Sequence, residues 1–159
     1  MTQQKSALYL VVPEAEVLLD AVRGLPGVAL LEPAHITLGY PWVGDPEARL
    51  DEVAAACASV PSAAVQLLGP ERFEQDLRGR TVVHALLSDT DVPRRLAGLL
   101  AAPLRTPHLS IARVRRSGDV DAVAAAVAPL LPLAVRLDTV EVTRRDPTGW
   151  TTILRARLG

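Results

Sequence analysis

Short apolar segments alternate with prolines, glycines and polar turns along the whole chain, which predicts a mixture of strands and helices. The run of β-formers from Ala7 to Val12 predicts a buried strand that ends at Pro13. Apolar residues at helical spacing follow and predict a helix that ends near Gly24. The same criteria predict strands at 28–31, 64–68, 81–87, 133–142 and 150–158, helices at 46–59, 92–101 and 119–131, and a turn at 144–149.

Strands and helices alternate in part, but adjacent strand pairs with short connectors also occur. That mixture favours an α+β domain over a doubly wound parallel sheet. The chain has 159 residues, a length typical of one domain, so we expect residues 1–159 to form a single domain.

Two segments share one pattern of side chains, His35-Ile36-Thr37-Leu38 and His108-Leu109-Ser110-Ile111. In a strand, successive side chains point to opposite faces. Each histidine therefore shares a face with its hydroxyl residue, while the apolar residues anchor the other face in a core. The motifs lie about half the chain apart, which predicts two pseudo-symmetric lobes that face each other across a cleft.

The repeated residue types suit cleavage of a phosphodiester. Imidazole titrates near neutral pH, so one histidine can accept a proton while the other donates one. The two hydroxyls can donate hydrogen bonds to phosphate oxygens as charge develops in the transition state. The other interpretation is that both histidines are ordinary strand residues near a sheet edge.

The motifs in their context resemble the two-histidine (2H) phosphoesterase superfamily, most closely its 2′,5′ RNA ligase-like branch of RNA 2′,3′-cyclic phosphodiesterases. The similar segments are Glu32 to Pro41, Thr106 to Arg113, and the stretch from Gly69 to Leu87 that contains Phe73. Ser110 stands where threonine is commoner. The resemblance implies a two-lobed α+β fold with antiparallel sheets lining a central cleft and helices outside.

The resemblance also implies metal-independent hydrolysis of a 2′,3′-cyclic phosphate to a 2′-phosphate, or of a 2′,5′-phosphodiester, at nucleotide or RNA termini. Some members run the reverse 2′,5′ ligation. His35 and His108 would be the catalytic pair, with Thr37 and Ser110 holding the phosphate and no cofactor required; which histidine is the base stays open. The alternatives are a non-catalytic module that binds RNA ends or nucleotides, and a 2H enzyme acting on a non-RNA cyclic phosphate.

Three residues near the motifs are candidate substrate contacts. Arg113 ends the second motif, but regular alternation puts it on the face opposite His108, so a bulge or strand end is needed to reach substrate. Tyr40 and Trp42 follow the first motif and suit stacking on a base, or else packing at the rim of the lobe.

Other residues of reactive or aromatic type are assigned structural roles. His84 lies mid-strand and is expected to be a hydrogen-bonded structural histidine. Phe73 is expected to anchor the core or a lobe edge, and Trp150 to cap either the core or the cleft. Cys57 lies in an alanine-rich run and is expected to be a small buried residue.

Composition narrows the class of protein. The formal net charge of −1 argues against a partner such as duplex DNA and leaves a nucleotide or an RNA end. Histidines and carboxylates at metal-ligand spacing are lacking, and Lys5 is the only lysine, which disfavours a metal site and ATP-driven ligation. The N-terminus has no long apolar signal core and no stretch reaches the ~18 apolar residues of a membrane span. We therefore expect a cytoplasmic monomer without a membrane partner.

Overall fold

A computed structural model describes residues 5–159 of the chain. Residues 1–4, on which the expectation of no targeting segment partly rests, lie outside the described residues. The strands are β1 (Lys5–Val11), β2 (Val28–Ala29), β3 (His35–Gly39), β4 (Ala63–Arg72), β5 (Thr81–Leu87), β6 (His108–Val114), β7 (Leu133–Leu137), β8 (Thr139–Asp146) and β9 (Gly149–Arg157). The helices are α1 (Glu16–Val22), α2 (Leu50–Ser59), α3 (Val92–Leu99) and α4 (Val120–Val127), with 3₁₀ turns at Pro13–Ala15, Pro46–Arg49 and Ala128–Leu130.

Within the described residues, all nine strands belong to one antiparallel sheet in the order β7-β4-β5-β6-β3-β1-β8-β9, with the short β2 paired to β6. This arrangement confirms the α+β class with antiparallel strands. The expected sheets are joined into one because Ile36 of β3 pairs with Leu109 of β6 at the centre. Each side of that junction holds a motif strand followed by three further strands, and the division into two lobes stays a prediction.

The apolar side chains of the two motifs and all four helices share one core. Ile36, Leu38, Leu109 and Ile111 are at most 1% exposed and pack in a single cluster of buried residues. The helices contribute to the same cluster, with Leu19 of α1 as one example. One face of the sheet is thereby covered, and the opposite face carries the polar side chains of the motifs.

The strand predicted at 133–142 is wrong at its boundaries. It is two strands, because the chain leaves the sheet at Asp138 and crosses from its β7 edge to a place beside β1. The Asp138 carbonyl accepts a hydrogen bond from the amide of Leu158 at 2.8 Å, and its carboxylate accepts one from the Thr139 hydroxyl at 2.8 Å. Apolar alternation continues through both strands, so the hydrophobic pattern does not reveal the break.

The turn predicted at 144–149 is shorter than expected, since β8 continues to Asp146 and β9 begins at Gly149. The Asp146 carboxylate accepts a hydrogen bond from the Thr148 amide at 2.8 Å, which closes the reversal in two residues. The helix predicted at 119–131 is α4 followed by a 3₁₀ turn, and the Asp119 side chain caps its start by accepting from the Ala122 amide at 3.0 Å.

Within residues 5–159, every helix is too short or too polar to cross a membrane. The cytoplasmic location stays a prediction.

Candidate active site

The structure brings the two motifs together on neighbouring central strands. Ile36 and Leu109 are paired across β3 and β6, and both point into the core with no exposed surface. Because side chains alternate along each strand, the histidine and hydroxyl residues beside this pair lie on the opposite, open face. The antiparallel register places each histidine next to the hydroxyl residue of the other motif. These four side chains are His35, Thr37, His108 and Ser110, and all are half-buried.

Each motif histidine is held by the backbone two residues before it. The Nδ1 atom of His35 lies 2.5 Å from the carbonyl oxygen of Pro33, and Nδ1 of His108 lies 2.8 Å from that of Thr106. A carbonyl oxygen can only accept, so Nδ1 must donate in both contacts. The Nε2 atoms are thereby left to accept or release a proton.

The hydroxyls of Thr37 and Ser110 make no hydrogen bond to any group within residues 5–159. Both are available as donors to a ligand on the open face. Over the same described residues, no group of three or more histidines, cysteines or carboxylates is arranged to hold a metal ion.

His35 lies against an aromatic ring from the neighbouring strand. Tyr9 of β1 is paired with Thr37, and its ring centroid is 4.5 Å from that of His35. Burial lowers the pKa of His35 below its ordinary value of 6.5, and this effect exceeds the opposing influence of the Pro33 hydrogen bond and the Glu141 carboxylate. His35 therefore favours its neutral form near pH 7.

A buried carboxylate lies behind Tyr9. Glu141 of β8 is paired with Tyr9 and is only 3% exposed. Its Oε1 atom accepts hydrogen bonds from Nε and Nη2 of Arg155 at 2.8 and 2.5 Å, which compensates the burial of its charge. Burial, followed by the nearby Glu141 charge, raises the pKa of Tyr9 to about 12.

Sequence reasoning missed Tyr9 and Glu141, although the strand pattern contained a signal for both. Glu141 stands between the apolar residues Val140 and Val142, so alternation along the strand places its side chain on the face away from the core. Tyr9 likewise stands between Leu8 and Leu10, both fully buried. Their place beside the first motif depends on strand order, which the sequence does not reveal.

The third histidine of the chain is also part of this face. His84 of β5 is paired with Ser110 and is 3% exposed. Its ring centroid lies 5.2 Å from that of His108 and 3.9 Å from that of Phe73, with the Phe73 ring nearly parallel. Its buried Nδ1 has no partner of regular hydrogen-bond geometry among the described residues, although interaction with the Val82 backbone acts to raise the pKa of the ring. Phe73 is 38% exposed and also contacts His108 edge-on, at 4.8 Å, so it borders the site instead of anchoring the core.

Arg113 reaches the face of the motif through a bulge. His84 is paired with Ser110 but the preceding Val83 is paired with Ala112, so Ile111 is an additional residue in β6. Ile111 and Ala112 are both buried, and alternation then turns Arg113 to the face of His108 and Ser110. Arg113 forms no ion pair with a carboxylate of the described chain. The condition set by the sequence for a substrate role is met.

The two aromatic residues after the first motif differ in accessibility. Trp42 is 8% exposed, its indole N–H donates to the Leu100 carbonyl at 3.1 Å, and the Arg49 guanidinium covers its ring at 4.8 Å. Burial on this scale favours the packing alternative for Trp42 over stacking on a base. Tyr40 is 47% exposed and meets the exposed Trp150 edge-on at 5.7 Å, so its ring stays open to a ligand.

Comparison with known proteins agrees with this fold. Residues 11–149 match the family model described as the 2′-5′ RNA ligase superfamily. Among solved structures, E. coli LigT complexed with ATP is 15% identical, with 98% of this chain and 97% of that chain covered and a TM-score of 0.64. E. coli LigT complexed with 3′-AMP is 12% identical, with 98% of both chains covered and a TM-score of 0.61. A structure described as a phosphoesterase is 14% identical over 98% of both chains, with a TM-score of 0.58. At these identities the likeness is one of fold, and a search of curated proteins gives no match.

Proposed function

Since this chain belongs to the 2′-5′ RNA ligase superfamily, we propose that it is a metal-independent phosphodiesterase that opens 2′,3′-cyclic phosphates or cleaves 2′,5′-phosphodiesters at nucleotide or RNA termini. An enzyme of the phosphoesterase kind agrees with the family and with the fold of its structural neighbours. The observation that carries the proposal is the placement of His35, Thr37, His108 and Ser110 on one open face around the Ile36–Leu109 pair.

In the proposed hydrolysis of a cyclic phosphate, His35 is the general base and His108 the general acid. The neutral form favoured at His35 leaves Nε2 able to take a proton from water as the water oxygen bonds to phosphorus. The bond from phosphorus to the ribose 3′ oxygen breaks, and that oxygen takes the proton from Nε2 of His108. The products are a 2′-phosphate and a free 3′ hydroxyl. His35 then releases its proton to solvent and His108 takes one up from solvent, which restores both side chains.

Three further side chains are proposed to bind the substrate. Thr37 and Ser110 donate hydrogen bonds to the non-bridging oxygens, where negative charge builds in the transition state. Arg113, unpaired within the described chain and on the same face, contributes a charge-assisted contact to the phosphate.

Tyr40 is proposed to stack on a base of the substrate, since the residue is 47% exposed directly after the end of β3. A nucleotide ligand also agrees with the LigT structures, which hold 3′-AMP, ATP and NADP⁺. These are ligands of LigT itself, and they favour a nucleotide over a non-nucleotide cyclic phosphate as the first ligand class to test here.

The experiment that tests the function is hydrolysis by the wild-type protein in EDTA, with a panel of three substrate classes. The panel holds the four nucleoside 2′,3′-cyclic monophosphates, 2′,5′-linked dinucleotides, and a cyclic phosphate without a base. We expect turnover of a nucleotide substrate, with the product identified as the 2′-phosphate by ³¹P NMR. Binding of nucleotide without turnover of any substrate would favour the binding-module alternative, and preference for the compound without a base would favour the non-RNA enzyme.

A further inference from the structure

Each motif histidine contacts an aromatic ring that comes from the neighbouring strand. On one side, Tyr9 is paired with Thr37 and lies against His35; on the other, His84 is paired with Ser110 and lies against His108. The two positions are equivalent in the strand pattern. They differ in chemistry, because only the ring beside His108 is itself an imidazole.

The position of His84 is fixed from both sides. Opposite β6, strand β4 bulges at Gly69, whose φ of +125° is a conformation that residues with a side chain rarely adopt. Pairing resumes with Glu71 opposite His84, and the Phe73 amide donates to the Val82 carbonyl at 3.1 Å. The Phe73 ring then lies nearly parallel to that of His84, at an interplanar angle of 16°. His84 is thus held between Phe73 and His108.

The buried Nδ1 of His84 lacks a hydrogen bond of regular geometry, which is unfavourable for the free energy of folding. By contrast, the corresponding atoms of His35 and His108 donate to carbonyl oxygens at 2.5 and 2.8 Å. An aromatic hydrocarbon ring would fill the same space as His84 without leaving a polar atom poorly paired.

From these contacts we propose that His84 is a positioning residue for His108. The His84 ring holds the His108 ring edge-on, on the side where Phe73 lies, and the protonation states of the two histidines are coupled. The kinetic part of this proposal rests on the proposed phosphodiester chemistry, but the coupling between the two rings does not.

Electrostatics gives the coupling its sign. Burial lowers the pKa of His84 below 6.5, and the nearby His108 lowers it further, since two imidazolium rings about 5 Å apart repel each other. The Val82 backbone and then Glu71, which faces His84 from β4, act in the opposite direction and raise that pKa by less. A neutral His84 lets His108 carry a proton without a second positive charge beside it.

The first arm of the test is an NMR titration of the histidine Cε1–H signals in the wild-type protein and in His108→Asn. The chain has three histidines, so each signal can be assigned by removing one of them. We expect His84 to titrate below 6.5 in the wild type and at higher pH in His108→Asn. A titration of His84 that does not move when His108 is replaced would overturn the coupling, whether or not the protein has activity.

The second arm compares His84→Phe, which keeps the ring, with His84→Ala, which removes it, on the best substrate of the wild type. Loss of positioning predicts that His84→Ala lowers kcat by up to about 10²-fold with little change in KM. His84→Phe should keep most of kcat at pH 7 and change the pH profile on its acidic side. Wild-type kcat and an unchanged pH profile in both variants would overturn the positioning role.

The two arms separate the possible failures. If the wild type hydrolyses no substrate, the proposed function fails while the NMR arm still decides the coupling. If His84→Ala does not fold, as judged by circular dichroism, then His84→Phe and the titration in His108→Asn decide the proposal. Leu77→Ala is the matched control, because Leu77 is fully exposed in the loop between β4 and β5.

Discussion

Arg113 and Ser110 lie on the same face of β6 although three positions separate them along the strand. The bulge at Ile111 supplies the additional residue that reverses the alternation between them. A regular strand would point Arg113 into the core beneath the site. The bulge therefore adds a cation to the face that carries both histidine motifs.

Replacement of this cation should weaken substrate binding. We expect Arg113→Gln to raise KM for a cyclic nucleotide by about tenfold or more, since a hydrogen bond to a charged group contributes roughly 1.5–3 kcal/mol. Steady-state kinetics measures the change. Arg115→Gln is the control, because Arg115 is exposed two residues beyond, where the chain leaves β6. Equal effects of the two variants would show that Arg113 acts only through the overall charge.

The second motif differs from the commoner pattern at Ser110, and the hydroxyl is the group that matters there. We expect Ser110→Ala to lower kcat by about 10²- to 10³-fold, because one hydrogen-bond donor to the developing charge is removed. Ser110→Thr keeps the donor and should keep activity close to that of the wild type. The pair of variants is compared by kcat at saturating substrate, and a fully active Ser110→Ala would remove Ser110 from the site.

The predictable part of the site follows from alternation within a single strand. His35 with Thr37, and His108 with Ser110, share a face in any regular strand, so the sequence alone indicates both pairs. Arg113 required the bulge, which depends on how β5 pairs with β6 and has no clear local signal. The strands were predictable for the same reason. Their prediction failed at Asp138, because apolar alternation continues there although the chain moves from one place in the sheet to another.

For His84, the strand could be predicted from the sequence but the role of the side chain could not. Its strand was predicted with the observed bounds, 81–87, yet its role depends on which strand lies beside it. Only the order β4-β5-β6 puts its ring between Phe73 and His108. Pairing between strands distant in sequence is a property of the whole sheet, so residue type and local pattern favoured the ordinary structural interpretation.

The buried apolar residues of the two motifs should contribute strongly to the free energy of unfolding. Leu109 is fully buried at the centre of the sheet, so Leu109→Ala removes packed atoms and leaves a cavity. We expect the free energy of unfolding to fall by about 2–5 kcal/mol, measured by urea denaturation. Val17→Ala, at an exposed position on α1, should change it by less than about 0.5 kcal/mol. A similar small change in both variants would contradict the central place of Leu109 in the core.

The pH dependence of kcat/KM should report His35. A general base must be neutral, so activity should fall as the pH drops through the lowered pKa of His35, below 6.5. The Glu141 carboxylate favours the protonated form of His35 and raises that pKa, so Glu141→Gln should move the acidic limb to lower pH. Glu52→Gln, on the exposed side of α2, is the control. A limb that moves to higher pH in Glu141→Gln would contradict the assignment of His35 as the base.

Cooperation of the two motif histidines is tested most directly by the hydrolysis rates of His35→Ala, His108→Ala and the double variant on one cyclic nucleotide in EDTA. Groups that act in the same step are strongly non-additive when removed. The proposed mechanism predicts that each single variant loses nearly all turnover, that the double variant is about as slow as either, and that all three keep the wild-type circular dichroism spectrum. A folded single variant with turnover near that of the wild type would contradict it.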